Sequence, residues 1–465
     1  MPRLTLAGRT SNSRRLLVAI GIAGLLSAAC WTPGPSAIAG SSPMPGGSTT
    51  SSASAASSSP GAPASPSPTA SSSPSASAPI DEATLYRQIE GQVGALRGLP
   101  AKQYLEPTIL DEAQLRVRLE AQFRAENPLA EIAASQATLV AMGLLPPGTS
   151  LADLYVNLLG SQVAGYYDPS TKQIFVVART GQIGAIEKVT FAHEFTHALQ
   201  DQNFGLKGIT TDTVGQGDRS MAHLALIEGD ASLLMTQWLM GHLDGAGIAQ
   251  IMAGDPAAQA QLDATPPFLK DQLLFPYLQG VAFVSSIWAQ GGWSAVDRVF
   301  SRLPASTQQI LHPEKYASND QPVSVPLDAS AIAARLGTGW TASPADTLGE
   351  FQIGSWLRAR GVTGAGGGIS GDTAAAGWGG DRYALIDGPN GAYALVIRTT
   401  WDTAADATEF ATAATEAVRG VPGVARVVRA AFGATTSESA GGRDVSVLFA
   451  SDAGILDRLA AVATL

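Results

Sequence analysis

The segment FAHEFTHALQDQ sets His193, Glu194 and His197 among Val189, Phe191, Ala192, Phe195, Ala198 and Leu199, a stretch apolar enough to be buried. Four residues advance an α-helix by about 400°, so the two imidazoles leave nearly the same face one turn apart, with Glu194 about 100° round from His193. Two buried imidazoles and a buried carboxylate are costly without partners. Whatever fold this chain adopts must therefore bring a complementary group to that helix face from another element.

Imidazoles at i and i+4 can share a metal ion, and a glutamate next to the first of them can reach a water on that ion without joining its ligands. Zinc suits the pattern, because three protein ligands leave a position for water, whose pKa then falls to roughly 7. The next helical stretch, ALIEGDAS, offers a third ligand. Glu228 stands in apolar surroundings where a carboxylate needs a partner, and Gly229 beside it removes bulk that would crowd the metal helix. Asp230 points about 200° away from Glu228 on a regular helix, so both cannot face one ion, and Glu228 is the expected ligand. His223, a rival, reads as an ordinary histidine near a helix start. Ser232, Asp230 and Asp201 are candidates to orient the ligand imidazoles.

HEFTHALQD is similar to the metal helix of thermolysin-like peptidases, and a later Glu on a second helix resembles the third ligand of the gluzincin clan. The chain departs from thermolysin at Ile227 and Ser232, where that family carries Asn and Asp. More widely, AGYYDPSTKQIFV, ALIEGDAS, LLFPYLQGVAFV, STQQILHPEKY and AGWGGDRYALI resemble a family of bacterial lipoproteins and secreted proteins classed as metallopeptidases. That wider resemblance implies one shared architecture and no substrate; the likeness to thermolysin-like peptidases implies a zincin-like domain, zinc as cofactor, a peptide or protein substrate and Glu194 as the catalytic base. By the same analogy 173–177 is the edge strand on which an extended peptide pairs. Peptide hydrolysis also needs a donor for the developing oxyanion. His312 is favoured over Tyr277 and Tyr316 for that part. Two other readings stand beside this one: a catalytically silent metal-holding surface protein, and a solute-binding lipoprotein without metal chemistry.

The amino terminus has the layout of an export signal: Arg3, Arg9, Arg14 and Arg15, an uncharged apolar stretch over 16–29, then Cys30. The pair Arg14 and Arg15 also resembles a twin-arginine signal. The apolar stretch is shorter than the roughly 20 residues that span a bilayer, and Pro33 and Pro35 stop its extension. Cys30, the one cysteine, excludes disulfides within the chain, and its place after Leu26, Ser27, Ala28 and Ala29 resembles the acylated residue of a bacterial lipoprotein. Residues 31–80 are mostly Ser, Pro, Ala, Gly and Thr, which cannot build a core and read as a stalk of about 40 Å as a coil or about 150 Å if extended. The expectation is a body outside the cytoplasm, tethered to the membrane only through Cys30 or otherwise secreted.

From 81 onward the chain can bury substantial cores, with 45% hydrophobic and 15% charged residues overall. With 29 basic against 39 acidic side chains, a nucleic-acid partner is not expected. Apolar residues recur at helical spacing over 81–160, as in Leu85, Ile89, Val93 and Leu96. A hairpin follows at 163–177, then helices at 184–202, 218–243 and 273–290, and a loop-rich segment at 304–326. The remainder, 346–465, alternates helices and strands around a Gly-rich connection at 361–371. The expected fold class is α+β: a helical region 81–160, a zincin-like domain 161–340 and a small α+β domain 346–465.

Overall fold

The computed structural model describes residues 20–22, 81–178, 181, 183–209, 214–429 and 442–463. Cys30, the stalk over 31–80 and nearly all of the signal segment lie outside the described residues. Helix and sheet are mixed in an α+β arrangement. In chain order come β1 (Ile20–Ile22), α1 (Glu82–Arg97), β2 (Thr108–Leu110), α2 (Glu112–Glu126), α3 (Leu129–Ala141) and α4 (Leu151–Gln162). Then follow β3 (Val163–Asp168), β4 (Gln173–Val177), α5 (Ala185–Phe204), α6 (Leu206–Ile209), α7 (Gly217–His242), α8 (Gly245–Ala253) and α9 (Pro256–Asp263). Helices α10 (Pro267–Ser301), α11 (Thr307–Leu311) and α12 (Pro313–Ala317) complete the central part. The carboxy-terminal part holds α13 (Ala329–Leu336), β5 (Thr341–Ala342), α14 (Gly349–Ala359), α15 (Gly371–Ala375), β6 (Trp378–Asp387), β7 (Tyr393–Trp401), α16 (Ala404–Ala417), β8 (Val424–Val428), β9 (Asp444–Ala450) and α17 (Ala453–Ala463). Among the described residues no helix is long and apolar enough to cross a membrane.

The first sheet runs β1-β3-β4-β2. Its centre is the hairpin of β3 and β4, closed by Asp168, whose carboxylate accepts from the backbone of Ser170 and the hydroxyl of Thr171. β2 pairs with β4 in parallel, Thr108 opposite Phe175 and Leu110 opposite Val177. The expected free edge at 173–177 is therefore an interior strand, because a segment from the helical region completes the sheet beside it. On the other side β1 pairs antiparallel with β3.

The region 81–160 has no core of its own. Tyr86, Ile89 and Val93 of α1 share an apolar cluster with Phe191, Phe195 and Leu199 of α5 and with Trp238 of α7. Leu115 and Leu119 of α2 pack with Phe175 and Val177 of β4. α3 and the start of α4 join the carboxy-terminal core through Leu139, Met142 and Leu151. The helix expected at 273–290 is longer: the Gly291–Gly292 pair leaves helical angles, the chain turns, and the helix resumes to Ser301. The segment 304–326, read as loop, contains the short helices α11 and α12, the first capped by Ser306, which accepts from Gln309 N.

The second sheet, β5-β6-β7-β9-β8, is antiparallel throughout. Along β7 the side chains alternate between two buried faces: Leu395 and Ile397 meet α14 and α16 through Trp356 and Phe410, whereas Ala394 and Val396 meet α13 and α17 through Leu336 and Leu459. α13 thus belongs to this unit, which begins before the expected boundary at 346.

Two buried carboxylates stand where this unit meets α7. Asp218, in the first turn of α7, accepts from the backbone and hydroxyl of Thr307 and is pushed up to about 8 by burial, Thr307 opposing the shift. Asp381 accepts from Leu348 N and Gly349 N, yet burial still lifts it to about 6. The folded chain therefore keeps protons that the unfolded chain has released, so both groups contribute stability at acid pH that is lost as pH rises through their folded values. Asp218→Asn, which retains an acceptor for Thr307, is expected to flatten the fall of melting temperature between pH 5 and 8; one proton corresponds to at most ~1.4 kcal/mol per pH unit. Calorimetric melting of wild type and variant across that range checks it, and parallel curves would remove Asp218 as the cause.

Candidate metal centre

α5 runs without a break because Glu187 closes its first turn onto Gly184 N, and it ends at Gly205, whose φ of 76° turns the chain out of the helix. It is buried from Val189 through Asp201. α7 crosses it, carrying Glu228 at zero exposure. His193 Nε2 lies 3.2 Å from Glu228 Oε2, His197 Nε2 lies 3.5 Å from the same oxygen, and the two Nε2 atoms are 3.1 Å apart. Among the described residues these three form the one group of His, Cys, Asp or Glu side chains whose ligand atoms can hold a metal ion.

The triangle fits a tetrahedral zinc ion. Ligand atoms about 2.0–2.1 Å from a tetrahedral centre stand about 3.3 Å from one another, the middle of the observed range. One proton cannot serve three atoms so placed, whereas one cation can. Glu228 Oε1 is buried and has no hydrogen-bond partner among the described residues. Burial holds the His193 imidazole below its ordinary value. Burial also opposes charge on His197, yet the Glu228 carboxylate beside it lifts that ring to about 9. Burial would raise Glu228, but the two imidazoles outweigh it and keep the group ionised.

Glu194, next to His193 and fully buried, faces the sheet. β3 comes close at Gly165: a Cβ there would stand 2.6 Å from Thr190 Cγ2 and 3.5 Å from Glu194 Cγ. The absent side chain lets the strand lie directly over the Thr190–Glu194 stretch of α5.

Gly229 has a different part from the one expected. It makes room for the backbone of α10, not for α5: a Cβ on Gly229 would stand 2.3 Å from Gly280 O, and one on Gly280 would stand 2.1 Å from Ala225 O. This backbone-to-backbone crossing brings Tyr277, one turn before Gly280, beside the site, its ring centroid 6.5 Å from that of His193. Tyr277 and Leu224, one turn before Glu228, also line an apolar cavity of about 300 Å³ between α7, α10 and the helices α2 to α4.

The remaining expected residues lie elsewhere. His312 pairs with Glu350, Nε2 to Oε1 at 2.7 Å, and lines a different pocket, so it is not the donor beside the triad; its turn between α11 and α12 faces α14. Tyr316 donates to Arg302 O. His223 Nδ1 lies 3.2 Å from Ile209 O, away from the ligands. Asp201 accepts from Tyr167 Oη at 2.7 Å and from Leu206 N, not from an imidazole. The group that does meet one of the two imidazoles is Gln200: its Oε1 is 2.9 Å from His197 Nδ1. Its place three residues after His197, on the same helix face, was the available signal.

Residues 335–460 match the family described as Domain of unknown function (DUF8575). That match covers the second sheet, α14 to α16 and most of α17, and does not include the triad. Comparison with curated proteins and with solved structures returned no match.

Gly229→Ala is expected to force α10 off α7 and to cost about 1–3 kcal/mol. Gly241→Ala on the same helix meets open space and is expected to be neutral or to stabilise by up to about 1 kcal/mol. Denaturant unfolding of the two variants decides, and equal effects would count against the close crossing.

Proposed function

We propose that the chain is a zinc-dependent peptidase of gluzincin type, cleaving peptide bonds outside the cytoplasm. The observation that carries this reading is the convergence of His193, His197 and Glu228 from two buried helices, with Glu194 in the same turn of α5 as His193. The zincin-like reading of the fold draws support from the hairpin of β3 and β4 laid over α5, followed by a second helix that delivers the carboxylate. Zinc held by these three residues would lower the pKa of a water in the remaining position to roughly 7 and polarise a substrate carbonyl.

The chain's own residues do the rest. Glu194 accepts a proton from the attacking water and returns it to the departing amine, a transfer its burial beside the ligands favours. Tyr277 replaces His312 as the candidate donor to the carbonyl oxygen as negative charge builds there, because it is the tyrosine beside His193. The apolar cavity that Tyr277 and Leu224 share gives a hydrophobic part of the substrate a place next to the bond being cut. The reading of a site outside the cytoplasm draws its support from the signal-like residues 3–29 and from Cys30, the expected lipid anchor.

Glu194→Gln is expected to keep zinc near one equivalent and to lower cleavage of casein or a peptide library by about 10²–10⁴-fold. His193→Ala is expected to lose the metal. Zinc analysis of the purified proteins beside the cleavage assay tests both. A Glu194→Gln variant as active as wild type would end the peptidase reading, and wild-type protein without zinc would end the metal reading.

A further inference from the structure

We infer that Gln200 and Arg97 are positioning residues of the metal centre, linked through Asp230, so that α1 is a working part of the site and not a detachable leading segment. The inference rests on the metal reading above and concerns which residues hold His197 in register.

The chain of contacts runs from the ligand outward. Gln200 Nε2 donates to Ile227 O at 3.0 Å and to Asp230 Oδ2 at 2.8 Å. A carbonyl and a carboxylate can only accept, so the amide nitrogen must face them and the amide oxygen must face the imidazole. That oxygen, too, can only accept, so His197 Nδ1 carries the proton that it donates to Gln200. In the neutral ring Nε2 is left with its lone pair directed at His193 and Glu228, the form a metal ligand requires.

The orientation of Gln200 depends in turn on Asp230. This carboxylate has zero exposure, and Arg97 grips it with two hydrogen bonds, Nε to Oδ1 at 2.8 Å and Nη2 to Oδ2 at 3.2 Å. Arg97 is itself fully buried, is stacked on Trp293 with its guanidinium carbon 4.5 Å from the ring centroid, and forms a second ion pair with Asp297. The two-pronged geometry fixes a plane that a lysine's single ammonium cannot. Arg97 is the last residue of α1. Two carboxylates on one turn of α7 thus have separate duties: Glu228 faces the imidazoles, and Asp230 faces α1 and sets the amide that sets His197.

Zinc affinity of the full chain, measured by competition with a chromophoric chelator, tests this without reference to turnover. Gln200→Leu and Arg97→Met are expected to bind zinc about 10–100-fold more weakly than wild type, with Arg97→Lys in between. Glu90→Gln, a buried change on α1 away from the relay, is expected to bind as wild type. The visible spectrum of the cobalt-loaded protein is expected to change in Gln200→Leu and not in Glu90→Gln. If Arg97→Met does not fold, Arg97→Met with Asp230→Leu removes both charges together and is read the same way. Wild-type affinity in folded Gln200→Leu and Arg97 variants overturns the relay while leaving the metal reading intact. Weakening in Glu90→Gln equal to theirs also overturns it, since the effect would then be general loosening of α1. A wild-type chain that takes up no zinc ends both.

Discussion

Two carboxylates at zero exposure, two residues apart on one helix, set the terms for everything packed around α7. Burial of an ionised carboxylate is tolerable only where opposite charge and hydrogen bonds replace the water it has lost. A regular helix points Glu228 and Asp230 in opposite directions, so no single neighbour can serve both. α5 approaches from one side with two imidazoles, and α1 approaches from the other with Arg97. The positions of these helices against α7 are therefore consequences of charge as much as of apolar packing, and Gln200 ties the two sides together by contacting His197 and Asp230 at once.

Close backbone approach then fixes distance where charge has fixed direction. Gly229 and Gly280 let α7 and α10 touch without intervening side chains, which draws Tyr277 alongside His193. Gly165 does the same for β3 over Glu194. In each case an ordinary side chain would open a gap wide enough to separate groups that now lie within a few ångströms of one another. The glycines near the site are spacers between elements; Gly205, by contrast, serves the chain's own turn.

Much of this was legible in the sequence because it is local. The hairpin, α5, α7 and most of the succession of helices and strands after 346 follow from periodicity and turn residues within a few positions of one another. The placing of His193, Glu194 and His197 on one stretch of helix needed only the helical repeat, and Glu228 followed from its being a carboxylate among apolar neighbours. What could not be read depends on contacts between distant segments. β2 completes the sheet from a segment that precedes β4 by more than a whole helix, so the edge expected at 173–177 is covered. Arg97 looks like an ordinary basic residue ending a helix, and only the fold places it on Asp230. His312 has the right chemistry for an oxyanion donor, but the turn that carries it faces Glu350 on α14. Proximity in chemistry was visible and proximity in space was not.

The carboxy-terminal sheet bears on the centre through the first turn of α7. Gly217 N donates to Asp346 Oδ1 at 2.8 Å, and Gly349, with a φ of 75°, presses so closely on Asp218 that a Cβ there would stand 1.7 Å from Oδ1. A helix held at its start by one unit and at its middle by Arg97 has little freedom to slide or rotate. Because Glu228 lies on that same helix, three turns in from the start, its carboxylate inherits the restraint. The second sheet can therefore matter to a site it does not touch, by holding still the element that carries Glu228.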